Sequence, residues 1–406
     1  MGYAIILVVA FGVTLLVTPV VRRLAIAAGV VTPPGDGAGR HVHTRPTPSL
    51  GGAAMFCGFL AAMAVASRMH QFKDVFGTSE PRGVLLGAGV MLLVGMLDDI
   101  VDVSPPAKLA GMVLAASLMA RAGVTMYFFR VPFNIGHLDT VVLSPNLWSL
   151  VTVLWVVVMA NAINLIDGLD GLAAGIVLIA GAAFYLFARE LFFQGAIDGS
   201  NIAPLVAIIA VGICAGFLPW NWSPARIFMG DAGALFLGLL MAVPTITVGG
   251  RTAPTFGGSY FFYAVVLIPL IILGVPVADT VFSCFRRVFS GRGFSSADRK
   301  HLHHRRVEMG HGPRRTVFIL WAYTALLSAS ALVPIYIKHG YALFPLAAAL
   351  LSLSLFVLLH PGVRNNRAMR GERRARRTGP GPGPGPSGPA IADNVVELRS
   401  RSGSSS

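Results

Sequence analysis

Residues 147–188, LWSLVTVLWVVVMANAINLIDGLDGLAAGIVLIAGAAFYLFA, carry the pattern that decides the fold. Two apolar runs, 147–166 and 168–188, each reach the ~20 residues a helix needs to cross a bilayer. At their junction Asn161, Asn164, Asp167 and Asp170 recur every third residue. Gly168 and Gly171 interrupt the apolar pattern there, which points to close backbone approach. A charged side chain at membrane depth costs roughly 2.5–3.5 kcal/mol on insertion scales. Helix–helix hydrogen bonding is one use open to the asparagines.

Working outward, nine more apolar runs lie near 3–21, 50–67, 83–98, 108–127, 202–220, 227–248, 260–283, 316–337 and 340–360, with 83–98 the shortest. Of 406 residues, 55% are hydrophobic and 12% charged, and mean hydropathy is +0.71. A soluble domain carries ~25% charge, so this composition excludes a soluble or a disordered chain. The expected fold is an all-α polytopic membrane protein of about eleven transmembrane helices, occupying residues 1–363. Residues 364–406 read as a basic, Gly/Pro-rich disordered cytoplasmic tail with GPGPGPGPSGP at 379–389. Cys57, Cys214 and Cys284 lack metal or disulfide spacing and read as small apolar residues.

Charge fixes an orientation. The first run is followed, not preceded, by Arg22-Arg23, the reverse of a secretory leader. With the N-terminus outside, inner loops and tail hold 24 of the 32 Lys and Arg residues, as the positive-inside rule demands. The net charge of +14 is therefore assigned to the inner membrane face, not to nucleic acid. Residues 128–146 alternate polar and apolar around Asn134-Ile135-Gly136 and read as a small extracytoplasmic β-hairpin.

In this orientation the acids gather at inner ends of spans: Asp98, Asp99 and Asp102 in GMLDDIVD, Asp167 and Asp170, Asp231 in FMGDAG, and Asp279. Asp74, Glu80, Asp139, Glu190 and Asp198 fall in outer polar loops. Acids also cap helices, but a cap needs one carboxylate, and Asp98 and Asp99 are adjacent. A divalent cation relieves such repulsion and attracts phosphate. Two basic elements face the acids: RHVHTRPTPSLGG (40–52) and the loop 286–315 with DRKHLHHRR (298–306). The four histidines of 301–311 lack a partner at zinc-site spacing. Carboxylates for Mg²⁺ with Arg, Lys and His for phosphates are the parts of phosphoryl transfer. No G-x-x-x-x-G-K-[ST] occurs, which excludes a P-loop ATPase.

Five motifs, HTRPTPSLGG (43–52), LDDIVDVSPPAKLAG (97–111), NAINLIDGLDGLAAG (161–175), NWSPARIFMGDAGALFLG (221–238) and RKHLHHRRVEMGHG (299–312), resemble in order and spacing the polyprenyl-phosphate N-acetylhexosamine-1-phosphate transferase family, the MraY/WecA superfamily. The resemblance covers residues 1–360. It implies a bacterial inner-membrane enzyme with its site on the cytoplasmic face. The reaction would join a UDP-N-acetylhexosamine to undecaprenyl or decaprenyl phosphate and release UMP, with Mg²⁺ (or Mn²⁺) as cofactor. A homodimer is compatible with it. It further implies Asp231 as metal ligand, Asp98 and Asp99 as an essential catalytic pair for metal, diphosphate or activation of the lipid phosphate, and Asp167 and His301 in catalysis. Arg45, Lys108, Asn164, Asp170, Asn221, Phe228, His303 and His304 would bind substrate. Many relatives carry Lys where Arg45 stands, which changes the shape of the charge.

The peptidoglycan branch, which uses UDP-MurNAc-pentapeptide, carries three consecutive histidines followed by an aromatic residue and an acid. Here the run is His301-Leu302-His303-His304-Arg305-Arg306, which resembles the envelope-glycan branch and implies UDP-N-acetylglucosamine (UDP-GlcNAc). The alternatives are the pentapeptide transferase and a secondary transporter. A transporter wants acids near the bilayer midplane and often shows repeated halves. No convincing repeat is found, and the acids lie to one side.

Overall fold

A computed structural model describes residues 1–32, 46–129, 141–249, 251 and 313–336, together with 347, 349 and 351. The expected spans at 260–283 and most of 340–360, with Asp279, the loop 286–312 and the tail 364–406, lie outside the described residues.

Ten helices are described: α1 (Gly2–Ala27), α2 (Gly51–Ala66), α3 (Lys73–Phe76), α4 (Glu80–Val101), α5 (Pro105–Arg121), α6 (Pro145–Ile166), α7 (Leu172–Phe193), α8 (Ala203–Asn221), α9 (Gly230–Pro244) and α10 (Pro313–Tyr336). Among the described residues six are long and apolar enough to cross a membrane: α1, α4, α6, α7, α8 and α9 with its π-helical extension to Val248. A seventh span would join α2 to the helical turns His70–Phe76, across a bend of 96°. The helix expected over 108–127 ends at Arg121 after 17 residues. The short run at 83–98 belongs to a 22-residue helix.

Proline sets several of these starts. Pro81, Pro105, Pro145 and Pro204 each occupy the first turn of a helix. There the missing N–H costs nothing and the fixed φ is already helical.

α9 is the centre. It packs against α2, α4, α6 and α8, while α1 lies on α2 and α8, and α7 lies between α8 and α10. α9 is buried along nearly its whole length, whereas α1 is buried along about a fifth. Backbones meet there without intervening side chains: a Cβ on Gly95 would strike the backbone of Ala232, one on Gly52 that of Gly233, and one on Gly238 that of Ala160. Close approach of small residues is how helices gain dispersion contact where lipid offers no hydrophobic incentive.

Two antiparallel strand pairs complete the description: β1 (Val31–Thr32) with β2 (Thr47–Pro48), and β3 (Phe128–Phe129) with β4 (Val141–Val142). The second lies within the expected 128–146 hairpin, whose turn around Asn134 lies outside the described residues.

Glu80 corrects the sequence reading. It is no loop residue but the first residue of α4, 9% exposed, and ion-paired with Arg251. Arg251 also donates to the carbonyls of Gly123 and Thr125. With Asp198, Ser200, Asn201 and Thr247 this pair lines a polar cavity of about 180 Å³ at the end of α4 and α9 opposite the acid cluster.

Candidate active site

α4 ends in a tight return. Asp102 adopts a left-handed conformation (φ 55°, ψ 75°), and its N–H donates to the Asp98 carbonyl at 3.1 Å. Ser104 is extended, and Pro105-Pro106 start α5 at once. Asp98 therefore faces the first turn of α5. Its Oδ1 accepts from the Val103 N–H at 2.9 Å and its Oδ2 from the Lys108 ammonium at 2.8 Å. Lys108 also forms an ion pair with Asp231, in the first turn of α9. One ammonium thus joins two carboxylates from helices distant in sequence.

Asp99, 100° further round α4, points elsewhere. Its Oδ1 accepts from the Asp231 N–H at 2.9 Å and its Oδ2 from the Ala232 N–H at 3.1 Å. Asp102 closes the end of α4 through its backbone N–H.

The linker between α6 and α7 supplies the next acids. Asp167 follows the last residue of α6, and Gly171 (φ 73°) starts α7 from a left-handed conformation that glycine adopts without strain. Burial, and then the neighbouring carboxylates of Asp231, Asp99 and Asp170, hold the Asp167 carboxyl well above the ordinary carboxylate range. The aspartates of three separate motifs therefore share one field. Asp170 accepts the Ala225 N–H at 3.1 Å. Asn164 is half-buried on the last turn of α6. Asn161 is used between helices: its amide donates to the Val157 carbonyl and lies 3.6 Å from the Met112 sulfur on α5.

Asn221 is 2% exposed, and both ends of its amide are taken: Oδ1 accepts from Gly171 N–H at 2.9 Å and Nδ2 donates to the Ile227 carbonyl at 3.0 Å. It ties the start of α7 to the 222–229 loop. Phe228 is half-buried. Its N–H donates to the Pro48 carbonyl and its carbonyl accepts from Gly51, both at 2.9 Å. Gly52 donates to Met229. The end of the HTRPTPSLGG motif is thus seated on FMGD. Arg45, His301, His303 and His304 lie outside the described residues.

The fit to Mg²⁺ can be judged from the donors. Among the described residues no three His, Cys, Asp or Glu side chains converge as a ready-made metal cage. Mg²⁺ usually takes one or two carboxylates and completes its octahedron with water and substrate phosphate. Asp98 and Asp231, drawn to one cation already, are such a pair.

Sequence reasoning passed over three aromatic residues beside this site. Trp222, Phe318 and Trp321 form a triangle with ring centroids 5.6–5.7 Å apart, and the Trp321 indole donates to the Leu172 carbonyl. Trp321 fits because Gly175 has no side chain. The glycines of GLDGLAAG were the available signal.

The model of glycosyl transferase family 4 matches residues 82–249, which hold three of the five motifs. The decaprenyl-phosphate N-acetylglucosaminephosphotransferase of Mycolicibacterium smegmatis is 33% identical over 87% of this chain and 86% of its own. A probable undecaprenyl-phosphate N-acetylglucosaminyl 1-phosphate transferase of Bacillus subtilis is 33% identical over 87% and 88%. The phospho-N-acetylmuramoyl-pentapeptide-transferase of Mycolicibacterium paratuberculosis is 32% identical over 78% and 92%.

Proposed function

The chain belongs to the polyprenyl-phosphate N-acetylhexosamine-1-phosphate transferases of glycosyl transferase family 4, and from that premise we propose that it transfers N-acetylglucosamine-1-phosphate from UDP-GlcNAc to a polyprenyl phosphate, releasing UMP. The observation that carries this reading is the meeting of Asp98, Lys108 and Asp231 at the α4, α5 and α9 ends, beside Asp167 and Asp170. A phosphate oxygen of the lipid attacks the sugar-linked phosphorus of the donor, and the bond to the UMP phosphate breaks. That oxygen is already anionic near neutral pH, so the difficulty is bringing two anions together.

Asp98 and Asp231 are the residues that would hold Mg²⁺, which when bound supplies the positive charge that two approaching phosphates need. Lys108, on the same two carboxylates, is placed to take a phosphate oxygen when they turn to the metal. Asp167, Asp170 and Phe228 border the nucleotide end. Asn164 lies beside them. Asn221 acts there through the backbone it ties. Arg45, His301, His303 and His304 of the two basic motifs would supply further donors to phosphate oxygens, on the cytoplasmic face of a bacterial inner membrane. Positioning by fixed charges, with little proton transfer, is the general pattern of phosphoryl transfer.

The test is UMP release by the purified full-length protein with polyprenyl phosphate, offered UDP-GlcNAc and UDP-MurNAc-pentapeptide in parallel. Release with UDP-GlcNAc alone is expected. Faster use of the pentapeptide substrate moves the chain to the peptidoglycan branch and leaves the chemistry standing. Release with neither overturns the reading.

A further inference from the structure

Asp99 is the acid of the cluster whose two oxygens are both committed to backbone, at Asp231 and Ala232. The first N–H groups of a helix have no partner within it. α9 starts after Met229, whose side chain makes no cap. A capping oxygen normally comes from the residue just before the helix. Here it arrives from α4, 132 and 133 positions earlier.

The surroundings are built for this contact. Gly230 has φ 69°, and a Cβ there would run into the Asp99 carboxylate. One turn back along α4, Gly95 lets the α4 backbone rest on Ala232. Two points on α4, a turn apart, therefore hold the first turn of α9. The N–H that Asp99 Oδ1 accepts is that of Asp231 itself. Holding it fixes where the Asp231 side chain begins, and that side chain reaches Lys108, which also binds Asp98.

We propose that Asp99 is a positioning residue: a helix cap supplied by α4 that sets the depth and rotation of the first turn of α9, so that Asp231 meets Asp98, while Asp99 itself gives no oxygen to Mg²⁺. The kinetic part of the test rests on the transfer reaction proposed above; the melting and metal-binding parts do not.

The experiment uses full-length protein in nanodiscs and compares Asp99→Asn and Gly230→Ala with Asp98→Asn and Asp231→Asn. Three quantities are read: melting in chelator, Mn²⁺ binding by its paramagnetic resonance signal, and kcat and KM for UMP release. Gly230→Ala keeps every carboxylate, while it pushes a Cβ into the Asp99 contact and strains the left-handed turn that leads into α9. Asp99→Asn and Gly230→Ala should melt at least ~5 °C below wild type in chelator, since a buried cap is lost or displaced. Both should bind Mn²⁺ at least ~10-fold more tightly than Asp98→Asn and Asp231→Asn do, and lower kcat at least ~30-fold with KM within about threefold, the pattern of a group needed only in the transition state. Asp98→Asn and Asp231→Asn, each an ion-pair partner of Lys108, should lose most Mn²⁺ affinity, because ligands are removed. An Asp99→Asn protein that binds Mn²⁺ as weakly as Asp98→Asn or Asp231→Asn is missing a ligand, and that overturns the proposal whatever its melting. A Gly230→Ala protein with wild-type melting and kcat overturns it too. Wild-type protein that releases no UMP removes the reaction, and the melting and Mn²⁺ results still decide the role of Asp99.

Discussion

Lys108, in the first turn of α5, and Asp231, in the first turn of α9, form an ion pair across 123 positions of chain, and the same ammonium holds Asp98. All three groups are largely withdrawn from solvent, with side-chain exposures of 15%, 29% and 15%. At such a site removing one partner costs more than the pair contributes, because a desolvated charge is left alone.

Lys108→Met should therefore lower melting in chelator, by leaving Asp98 and Asp231 without their shared cation. Mn²⁺ should raise the melting temperature of this variant more than that of wild type, since the ion replaces the lost charge. UMP release should fall at least ~100-fold, the scale of losing one oriented charge at a transferring phosphate. Equal Mn²⁺ responses in the two proteins would show that the lysine and the ion do not share a site.

Chelation should stop UMP release, and Mg²⁺ or Mn²⁺ should restore it. Asp231→Asn should stay inactive at any Mg²⁺ concentration with folding intact. Full turnover of wild type in excess chelator sinks the metal reading.

Asp167 makes stability depend on pH in a definite direction. Its carboxyl titrates above the ordinary carboxylate range in the fold, so the folded chain holds that proton more firmly than the unfolded chain does. The stabilisation is complete below the unfolded value of about 3.9 and is lost as pH rises through the raised folded value. Asp167→Asn removes this slope. In chelator its melting should draw level with wild type at low pH and exceed it increasingly above about pH 4, while UMP release is lost. Parallel pH profiles would refute the electrostatic account.

Asn221→Ala removes two hydrogen bonds at a buried position and leaves Gly171 N–H and the Ile227 carbonyl without partners. A cost of about 2–3 kcal/mol is expected. Thermal melting checks it, and KM for the nucleotide should rise as the 222–229 loop loses its tie. A variant as stable as wild type would mean that water replaces the amide.

Much of this arrangement was legible in the chain itself. Acids too expensive to leave in apolar runs without use marked Asp98, Asp99, Asp167, Asp170 and Asp231, and the fold brings their motifs to one place. Pro105 and Pro145 marked helix starts. The partners were not legible, because pairing across more than a hundred residues leaves no local signal. Asp99 accepts from two amides at the start of α9, and nothing near residue 99 in the sequence announces them. The amide of Asn221 ties Gly171 to Ile227, and neither partner is marked in the sequence around Asn221. Glu80 looked like a surface acid because Arg251, its partner, lies 171 positions away.

The enclosure of α9 has a consequence for how the molecule works through a cycle. With Gly52 against Gly233, Gly95 against Ala232 and Ala160 against Gly238, three neighbouring backbones touch this helix directly. Packed backbone has no rotamers to yield, so α9 can neither slide by a turn nor roll without parting several helices at once. Admission of the nucleotide and departure of UMP then take place beside a wall that stays still. An inhibitor that met this wall would face a target with one shape, and resistance by remodelling it would have to pass through glycine and alanine positions that tolerate little more than themselves.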